Sequence, residues 1–315
     1  MSCKIYVDGQ DGTTGIKIHD HLAKNPNVEL LKIDPERRKD KDARSSLINE
    51  ADLVFLCLPD SASREAVSMV KKNTETRIID ASTAFRTDFE WTYGLPELHK
   101  HHRNKIQNSA KVSVPGCHAT GFILPIHPLV AEGIIPRNYP ATCYSITGYS
   151  GGGKQMISVY QNSSEEKLFA PRPYALSLTH KHLPEMQLHS GLASAPLFTP
   201  IVGNHYQGLS VSIPLLPQLC LKQVTAKEVQ QLLASYYEDE RFIRVMPYDS
   251  EACLEDGFFN VMECNHTNYL DIFVFGGKDG IMLISRFDNL GKGASGAAIQ
   301  NMNIMLGFDE GLGLE

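Results

Sequence analysis

The chain reads as an α/β protein: a doubly wound parallel sheet with a nucleotide crevice, followed by an α+β second domain. Three observations predict this. Short apolar strands alternate with amphipathic helices over the first third of the sequence. A glycine-rich turn joins the first strand to the first helix. After about Gly121 the rhythm changes to strands separated by hairpin-type turns. A length of 315 residues also exceeds one ordinary core and favours two domains.

Lys4–Val7 is a short buried strand, and Ile18 and Leu22 lie on one face of the helix after the turn. Val28–Ile33 is a second strand, and Ser45–Asn49 supplies a helix turn. Leu53–Leu58 is a continuous apolar run ending at Pro59, the pattern of a parallel strand covered on both faces. Asp60 or Ser61 caps the next helix, which turns Ala66, Val67 and Val70 inward. Arg77–Ile79 is another strand, closed by Asp80. In the second domain Leu209–Leu215, Asp271–Phe275 and Ile281–Ile284 read as strands of an antiparallel sheet, with Gly276–Gly280 turning between the last two. Thr225 and Glu228 form a capping box for a helix reaching Tyr237. Lys292–Leu306 is helical and rich in small residues. The divisions expected are 1–117 for nucleotide binding, 118–286 for the α+β domain and 287–315 for a C-terminal helix.

Composition narrows the function classes. A formal charge of −6 gives no electrostatic case for nucleic acid. No stretch of 18 uncharged apolar residues exists to span a membrane, and the opening apolar run stops at Asp8, too soon for a secretion signal. Seven cysteines, an odd number with no C-x-x-C pair, point to reduced thiols in a cytoplasmic setting, and not to a disulfide framework or a metal site.

The turn is Asp8-Gly9-Gln10-Asp11-Gly12-Thr13-Thr14-Gly15. Gly9 permits the tight turn, Gly12 lets the backbone approach a pyrophosphate, and Gly15 allows helix and sheet to pack closely, while the helix N-terminus offers N–H groups to an anion. Asp34, 19 residues beyond Gly15, stands where an acid holds a ribose 2′-hydroxyl, which favours NAD. Arg37, Arg38 and Lys39 follow at once and suit a 2′-phosphate, which favours NADP. The plainer reading of that run is a solvated charged face, since Asp40, Lys41, Asp42 and Arg44 continue it.

Two further segments carry chemistry. Cys117, in Pro115-Gly116-Cys117-His118, precedes the apolar stretch Phe122–Ile126. If that stretch is helical, the thiol sits at a helix N-terminus, where dipole and N–H groups favour the thiolate needed for acyl transfer. The plainer reading is a small core cysteine. His180 and His182, two residues apart, share a side of an extended segment and suit general acid–base work, with Glu185 placed to orient an imidazole or read a substrate. An H-x-H pair alone is a weak metal signal. His99, His101 and His102 read as a polar surface loop.

These stretches, with Phe55–Ser61, Ile79–Thr87, Gly148–Lys154 and Asp288–Gly307, occur in the order found in N-acetyl-γ-glutamyl-phosphate reductases of the shorter form, which the sequence resembles along its whole length. The aspartate-semialdehyde dehydrogenases look similar in architecture but differ in the histidine and C-terminal motifs. The resemblance implies a Rossmann-type NADP-binding domain and a catalytic and dimerisation domain of glyceraldehyde-3-phosphate dehydrogenase type, with the last helix returning to the first domain. It implies NADPH-dependent reduction of N-acetyl-glutamyl 5-phosphate to the 5-semialdehyde, with release of inorganic phosphate, in arginine biosynthesis. It marks Cys117 as nucleophile and His180, or else His182, as acid–base group.

It further implies cofactor contacts at Gly9, Gly12, Thr13, Thr14, Gly15, Arg37, Arg38, Leu58, Pro59, Ser82, Asn289 and Lys292, and substrate contacts at Arg86, Ser150, Gly151, Lys154 and Glu185. Arg86 has a plainer alternative, an ion pair with Asp80 or Asp88. A homodimer or homotetramer follows from the same resemblance. Where the longer form has tyrosine after the nucleophile, this chain has His118. Two other classes stay open: a cysteine-dependent reductase of another acyl phosphate, and an NADP-binding sensor without chemistry.

Overall fold

The computed structural model describes residues 2–72, 74–248, 253–277 and 279–314. The chain forms two compact units, Met1–Pro115 with Ala294–Glu315, and Gly116–Gly293. The second unit thus begins one residue before Cys117 and runs past 286, the division expected from the sequence.

The first unit runs β1 (Cys3–Asp8), α1 (Thr13–Leu22), β2 (Val28–Leu31), α2 (Lys41–Glu50), β3 (Leu53–Leu56), α3 (Asp60–Ser68) and β4 (Arg77–Asp80). It continues through β5 (Thr92–Tyr93), α4 (His102–Gln107) and β6 (Lys111–Ser113). Its strands form a parallel sheet in the order β2-β1-β3-β4-β6-β5. All four residues of β3 are buried, as an apolar strand between two helical layers requires. Tyr6, Ile48, Val54, Leu56, Ile78 and the stacked pair Phe85–Trp91, ring centroids 4.1 Å apart, make one core cluster.

Local details depart from the sequence pattern for physical reasons. β2 stops at Leu31, two residues short of the expected end. The turn at Ser45–Asn49 is part of the longer helix α2, capped by the Asp40 carboxylate on the Ala43 N–H. Pro59, not Asp60 or Ser61, holds the N-cap position of α3. The Asp60 carboxylate instead accepts from the N–H and hydroxyl of Thr83, at 3.0 and 2.6 Å.

The second unit runs α5 (Cys117–Ala131), β7 (Thr142–Gly148), α6 (Gly153–Asn162), β8 (Arg172–Pro173), α7 (Leu183–Ser190), β9 (Leu197–Gly203) and β10 (Leu209–Leu215). α8 (Ala226–Tyr236), β11 (Ile243–Val245), β12 (Leu270–Gly276) and β13 (Ile281–Phe287) follow. The sheet order is β11-β12-β13-β10-β7-β9-β8. β10, β12 and β13 pair antiparallel as expected, but the sheet is mixed, because β7 runs parallel to β9 and β11 to β12. In the β12–β13 turn Gly277 donates to the Gly280 carbonyl at 3.0 Å, while Lys278 lies outside the described residues. The capping box of α8 is present, with Thr225 and Glu228 each satisfying the other's backbone N–H.

α5 is buried along most of its length and lies on β10 and β13. Gly121 makes that approach possible: a Cβ there would sit 2.6 Å from Val211 and 2.9 Å from Phe287. Two prolines inside the helix, Pro125 and Pro128, have no N–H for the carbonyls four residues earlier, Gly121 and Leu124. Ser285 donates to the first at 2.8 Å and Tyr237 to the second at 2.6 Å. The helix that begins at Cys117 is thereby tied to β13 and to the end of α8.

α9 (Gly296–Leu306) belongs to the first unit and packs on α1, α4 and β4. A π-turn, Gly291–Ser295, leads into it. Every residue from Gly296 to Met305 is buried, so its polar members need partners. Gln300 donates to Glu97 and Glu310, and Asn301 to the Gly94 carbonyl.

Candidate active site

The dinucleotide turn takes the shape its glycines require. Gly9 has φ of +90°, and a Cβ on it would lie 2.3 Å from the Cys57 carbonyl oxygen. A Cβ on Gly15 would lie 2.4 Å from the Gly9 oxygen, whereas one on Gly12 would meet nothing closer than 3.4 Å. Gly12 N-caps α1 without a side-chain cap, and no acid stands in the first turn. The N–H groups at Thr13 and Thr14 therefore open the helix toward an anion. The Thr13 hydroxyl is buried with no hydrogen-bond partner among the described residues. An uncapped helix end, an orphaned hydroxyl and a position with room for close backbone approach fit a pyrophosphate.

A cleft of about 490 Å³ adjoins this turn, lined by Gly9, Asp11, Arg38, Lys39, Arg44 and Leu58 among others. Arg38 pairs with Asp11, linking the basic run to the turn. Arg37 is outside this lining and reaches Asp40 at 3.4 Å. Arg44, which the sequence assigns to a solvated run, is 7% exposed and holds buried Asp8 at 2.8 Å. Asp34 caps a short turn by accepting from the Glu36 N–H at 2.9 Å. Pro59 begins α3, and Ser82 donates to buried Asp80 at 2.6 Å. Burial pushes the Asp80 carboxyl up, with the Ser82 bond acting against it.

Arg86 donates to main-chain oxygens, from its Nε to the Val114 carbonyl at 2.9 Å and from its guanidinium to the Ala81 carbonyl at 3.3 Å. It is 8% exposed and fixes the strand end three residues before Cys117.

In the second unit Cys117 is the first residue of α5, half-buried, after the N-cap Gly116. The Glu185 carboxylate, 1% exposed on α7, accepts from the Gly116 N–H at 3.0 Å. An acid thus holds the residue before the thiol. A histidine cluster lies beside it: the rings of His180 and His182 are 4.7 Å apart, and each is 5.4 Å from that of His118. His180 is half-buried and His182 is 5% exposed, so His180 is the more open to a ligand. The His180 Nδ1 accepts from the His182 N–H at 3.2 Å. His118 is buried, and its pKa is pushed down to about 3, by burial first and then by His180 and Lys181.

The Gly148–Lys154 loop is built differently from a free cradle. The N–H groups of Tyr149 and Ser150 donate to the carbonyls of His205 and Tyr206. Ser150 is buried, and its hydroxyl accepts from Asn289 at 3.0 Å, while Asn289 takes the Gly208 N–H at 2.8 Å. Gly151 is exposed beside them, and Lys154 is exposed on the first turn of α6. Lys292 is 1% exposed in the π-turn, its ammonium 5.9 Å from the Phe242 ring centre. The next residue, Gly293, packs on Cys117: a Cβ there would be 2.9 Å from that of the cysteine.

Cys117, His180, His182 and Glu185 are therefore brought together, and the glycine turn is brought together with Arg38. Ser145 and Tyr174 join the cluster without having been singled out by motif, their oxygens 2.7 Å from Nδ1 and 3.1 Å from Nε2 of His118. His118 stands out in the sequence only by its place after Cys117.

Comparison with known proteins matches the same division. Residues 4–106 match the semialdehyde dehydrogenase NAD-binding domain, and residues 117–289 the semialdehyde dehydrogenase dimerisation domain. An N-acetyl-γ-glutamyl-phosphate reductase 2 of Nostoc sp. is 46% identical over 99% of both chains. The N-acetyl-γ-glutamyl-phosphate reductase of Rhizobium etli is 43% identical over 97% of this chain and 99% of its own. Among solved structures, aspartate semialdehyde dehydrogenase II of Vibrio cholerae aligns with a TM-score of 0.72 at 15% identity, covering 97% of this chain and 98% of the other. The aspartate semialdehyde dehydrogenase of Candida albicans with NADP aligns at 0.61 and 15% identity, over 97% and 99% of the two chains.

Proposed function

The chain belongs to the family of N-acetyl-γ-glutamyl-phosphate reductases, and from that premise we propose that it reduces N-acetyl-glutamyl 5-phosphate to N-acetyl-glutamate 5-semialdehyde, with NADPH, in arginine biosynthesis. The observation that carries this reading is the placement of Cys117 at the first turn of α5, with Glu185 fixing Gly116 and His180 open beside the cluster.

The Cys117 thiolate attacks the acyl carbon, supported by the helix N-terminus, and the C–O bond to phosphate breaks to leave a thioester. The Cys117 N–H is in place to receive the oxyanion. Lys154 and Arg86 are the cations assigned to the phosphate and carboxylate groups of the substrate. The Tyr149 and Ser150 N–H groups are already committed, so this loop contributes through Gly151 and the Ser150 hydroxyl. NADPH supplies the hydride that reduces the thioester carbon. His180 donates the proton to the resulting oxyanion and takes it back as the C–S bond breaks and the aldehyde leaves. His182, more deeply buried, orients His180 through its N–H.

Gly9, Gly12, Thr13, Thr14 and Gly15 hold the pyrophosphate, Arg38 the 2′-phosphate, and Leu58, Pro59 and Ser82 flank the dinucleotide. The enzyme works as a cytoplasmic homodimer or homotetramer. The outer face of the seven-stranded sheet supports association, since Tyr144 and Leu197 on it are 40% and 54% exposed. No helix among the described residues is long and apolar enough to cross a membrane.

The test is the reverse reaction: NADP reduction by N-acetyl-glutamate semialdehyde. Activity that requires phosphate and vanishes in Cys117→Ser, with NADP binding retained, is the expected result. Activity with aspartate semialdehyde alone would move the substrate assignment, and near-normal turnover in Cys117→Ser would remove the thioester mechanism.

A further inference from the structure

We propose that Asp11 tunes the choice between NADP and NAD: it holds the Arg38 guanidinium that the 2′-phosphate has to take over, so NADP displaces a carboxylate that NAD leaves in place. The inference rests on the reading that NADP is the cofactor with Arg38 at its 2′-phosphate, and adds to it a residue that sets the preference.

β1 and β2 are parallel neighbours, so the glycine turn after β1 and the short turn Pro35–Arg37 after β2 leave the sheet side by side. Asp11 and Arg38 meet there although 27 residues separate them. Asp11 stands on the turn that the Gly12 N–H closes by donating to the Gly9 carbonyl at 3.0 Å. Both side chains line the cleft beside that turn.

The charges of this cleft decide which cation is available. Its lining carries three cations, Arg38, Lys39 and Arg44, and three acids, Asp8, Asp11 and Glu65. Arg44 is fully committed. Its Nε and one terminal nitrogen hold the Asp8 carboxylate at 3.1 and 2.8 Å, and the other terminal nitrogen reaches Glu65 at 3.4 Å. The Arg44 and Asp8 side chains are 8% and 4% exposed, so parting them would strand a buried charge. Glu65 is shared with Lys41 at 2.5 Å. Asp34, where an acid for a ribose hydroxyl is expected, lies outside this lining and is occupied by the Glu36 N–H. Lys39 has no ion-pair partner among the described residues. Arg38 is therefore the guanidinium of the cleft that can change partner.

The exchange runs in one direction. The Arg38 and Asp11 side chains are 54% and 56% exposed, and an exposed ion pair is weak. A phosphate dianion takes two N–H groups of the guanidinium fork and carries more charge than a carboxylate, so it wins the guanidinium. NADP affinity is lowered by the strength of the pair that is broken. NAD presents an uncharged hydroxyl at the same place and leaves the pair intact. Asp11 also stands one residue before Gly12, where its charge opposes the pyrophosphate. That repulsion is common to both dinucleotides and cancels in the ratio of their affinities, which isolates the exchange at Arg38.

The experiment is calorimetric titration of the full chain with NADP and with NAD, in wild type, Asp11→Asn, Arg38→Ala and the double variant. Asp11→Asn should raise the preference for NADP over NAD by about two- to fivefold, the strength of one exposed ion pair. In the Arg38→Ala background the same change should leave the preference unaltered. If Asp11→Asn does not fold, Asp11→Ser carries the test, with a shift in the same direction. An unchanged preference in the folded Asp11 variants, or a weaker hold on NADP, would overturn the proposal, and so would an equal gain without Arg38. Loss of NADP affinity in Arg38→Ala beside an unchanged preference in Asp11→Asn would strike this inference alone. Wild-type NADP affinity in Arg38→Ala would strike both it and the cofactor contact on which it rests.

Discussion

Tyr237 donates its phenol hydrogen to the carbonyl of Leu124 at 2.6 Å. That carbonyl is the one Pro128, four residues further on, cannot bind. The hydroxyl thus replaces a helical hydrogen bond that the sequence of α5 forbids. Tyr237→Phe should leave a buried carbonyl unpaired and destabilise the chain by about 1–3 kcal/mol. In a Pro128→Ala background the helix regains its own N–H, and the same change should cost clearly less. Denaturant unfolding of the four proteins gives the coupling directly. Equal losses in both backgrounds would mean that the phenol does not compensate for the proline.

His118 links the active site to acid stability. Its pKa is lowered to about 3, by burial first and then by His180 and Lys181, while an unfolded histidine titrates near 6.5. A lowered value means that the unfolded chain binds the proton first. Between those two values stability falls as pH falls, by up to about 1.4 kcal/mol per pH unit from this group. Unfolding free energies of wild type and His118→Gln at pH 7, 6 and 5 should converge on acidification, because the variant lacks this proton uptake. Parallel curves would show that the imidazole takes up a proton in the folded state.

How legible such features are in the sequence depends on how far apart their partners lie. β3 is plain because four consecutive apolar residues, covered on both faces, carry the signal within the strand itself. The glycine turn and the Thr225–Glu228 box are plain for the same reason: each interaction closes within a few residues. Arg44 reads as part of a charged surface run because its partner, Asp8, is 36 residues away. Nothing local marks Ser145 or Tyr174, which meet His118 only after β7 and the segment before α7 are folded against α5. The mixed pairing of the second sheet is equally non-local, since β7 finds β9 across α6, β8 and α7. The helix start at Cys117 is legible through its Pro-Gly setting; the groups around it are not.

The basic run after β2 divides its labour unequally. Arg38 lines the cleft beside the glycine turn and is held by Asp11, while Arg37 lies outside that lining. Arg38→Ala should weaken NADP binding by roughly ten- to a hundredfold, the loss of charge-assisted contacts to a phosphate, and leave NAD binding nearly unchanged. Arg37→Ala should shift NADP affinity by less than about threefold, as for an exposed surface charge. Calorimetric titration of both dinucleotides against both variants distinguishes them. A larger effect at Arg37 would place the 2′-phosphate on the other side of the run.

The three glycines of the dinucleotide turn should respond differently to a single methyl group. At Gly9 a Cβ would overlap the Cys57 carbonyl in a backbone conformation with φ of +90°, and at Gly15 it would overlap the Gly9 carbonyl. Both lie against main chain, which cannot move aside cheaply. Gly9→Ala and Gly15→Ala should therefore lower stability by more than about 2 kcal/mol whether or not a cofactor is present. At Gly12 the nearest atom to a Cβ is 3.4 Å away, so Gly12→Ala should fold with a melting temperature close to wild type. Its methyl group would stand where the pyrophosphate has to approach the backbone, and dinucleotide affinity should fall sharply. Thermal melts with and without NADP read both effects, since a bound cofactor raises the melting point of any variant that still holds it. A Gly12→Ala protein that melts like wild type and keeps the full NADP-induced rise would mean that the pyrophosphate does not lie on this turn.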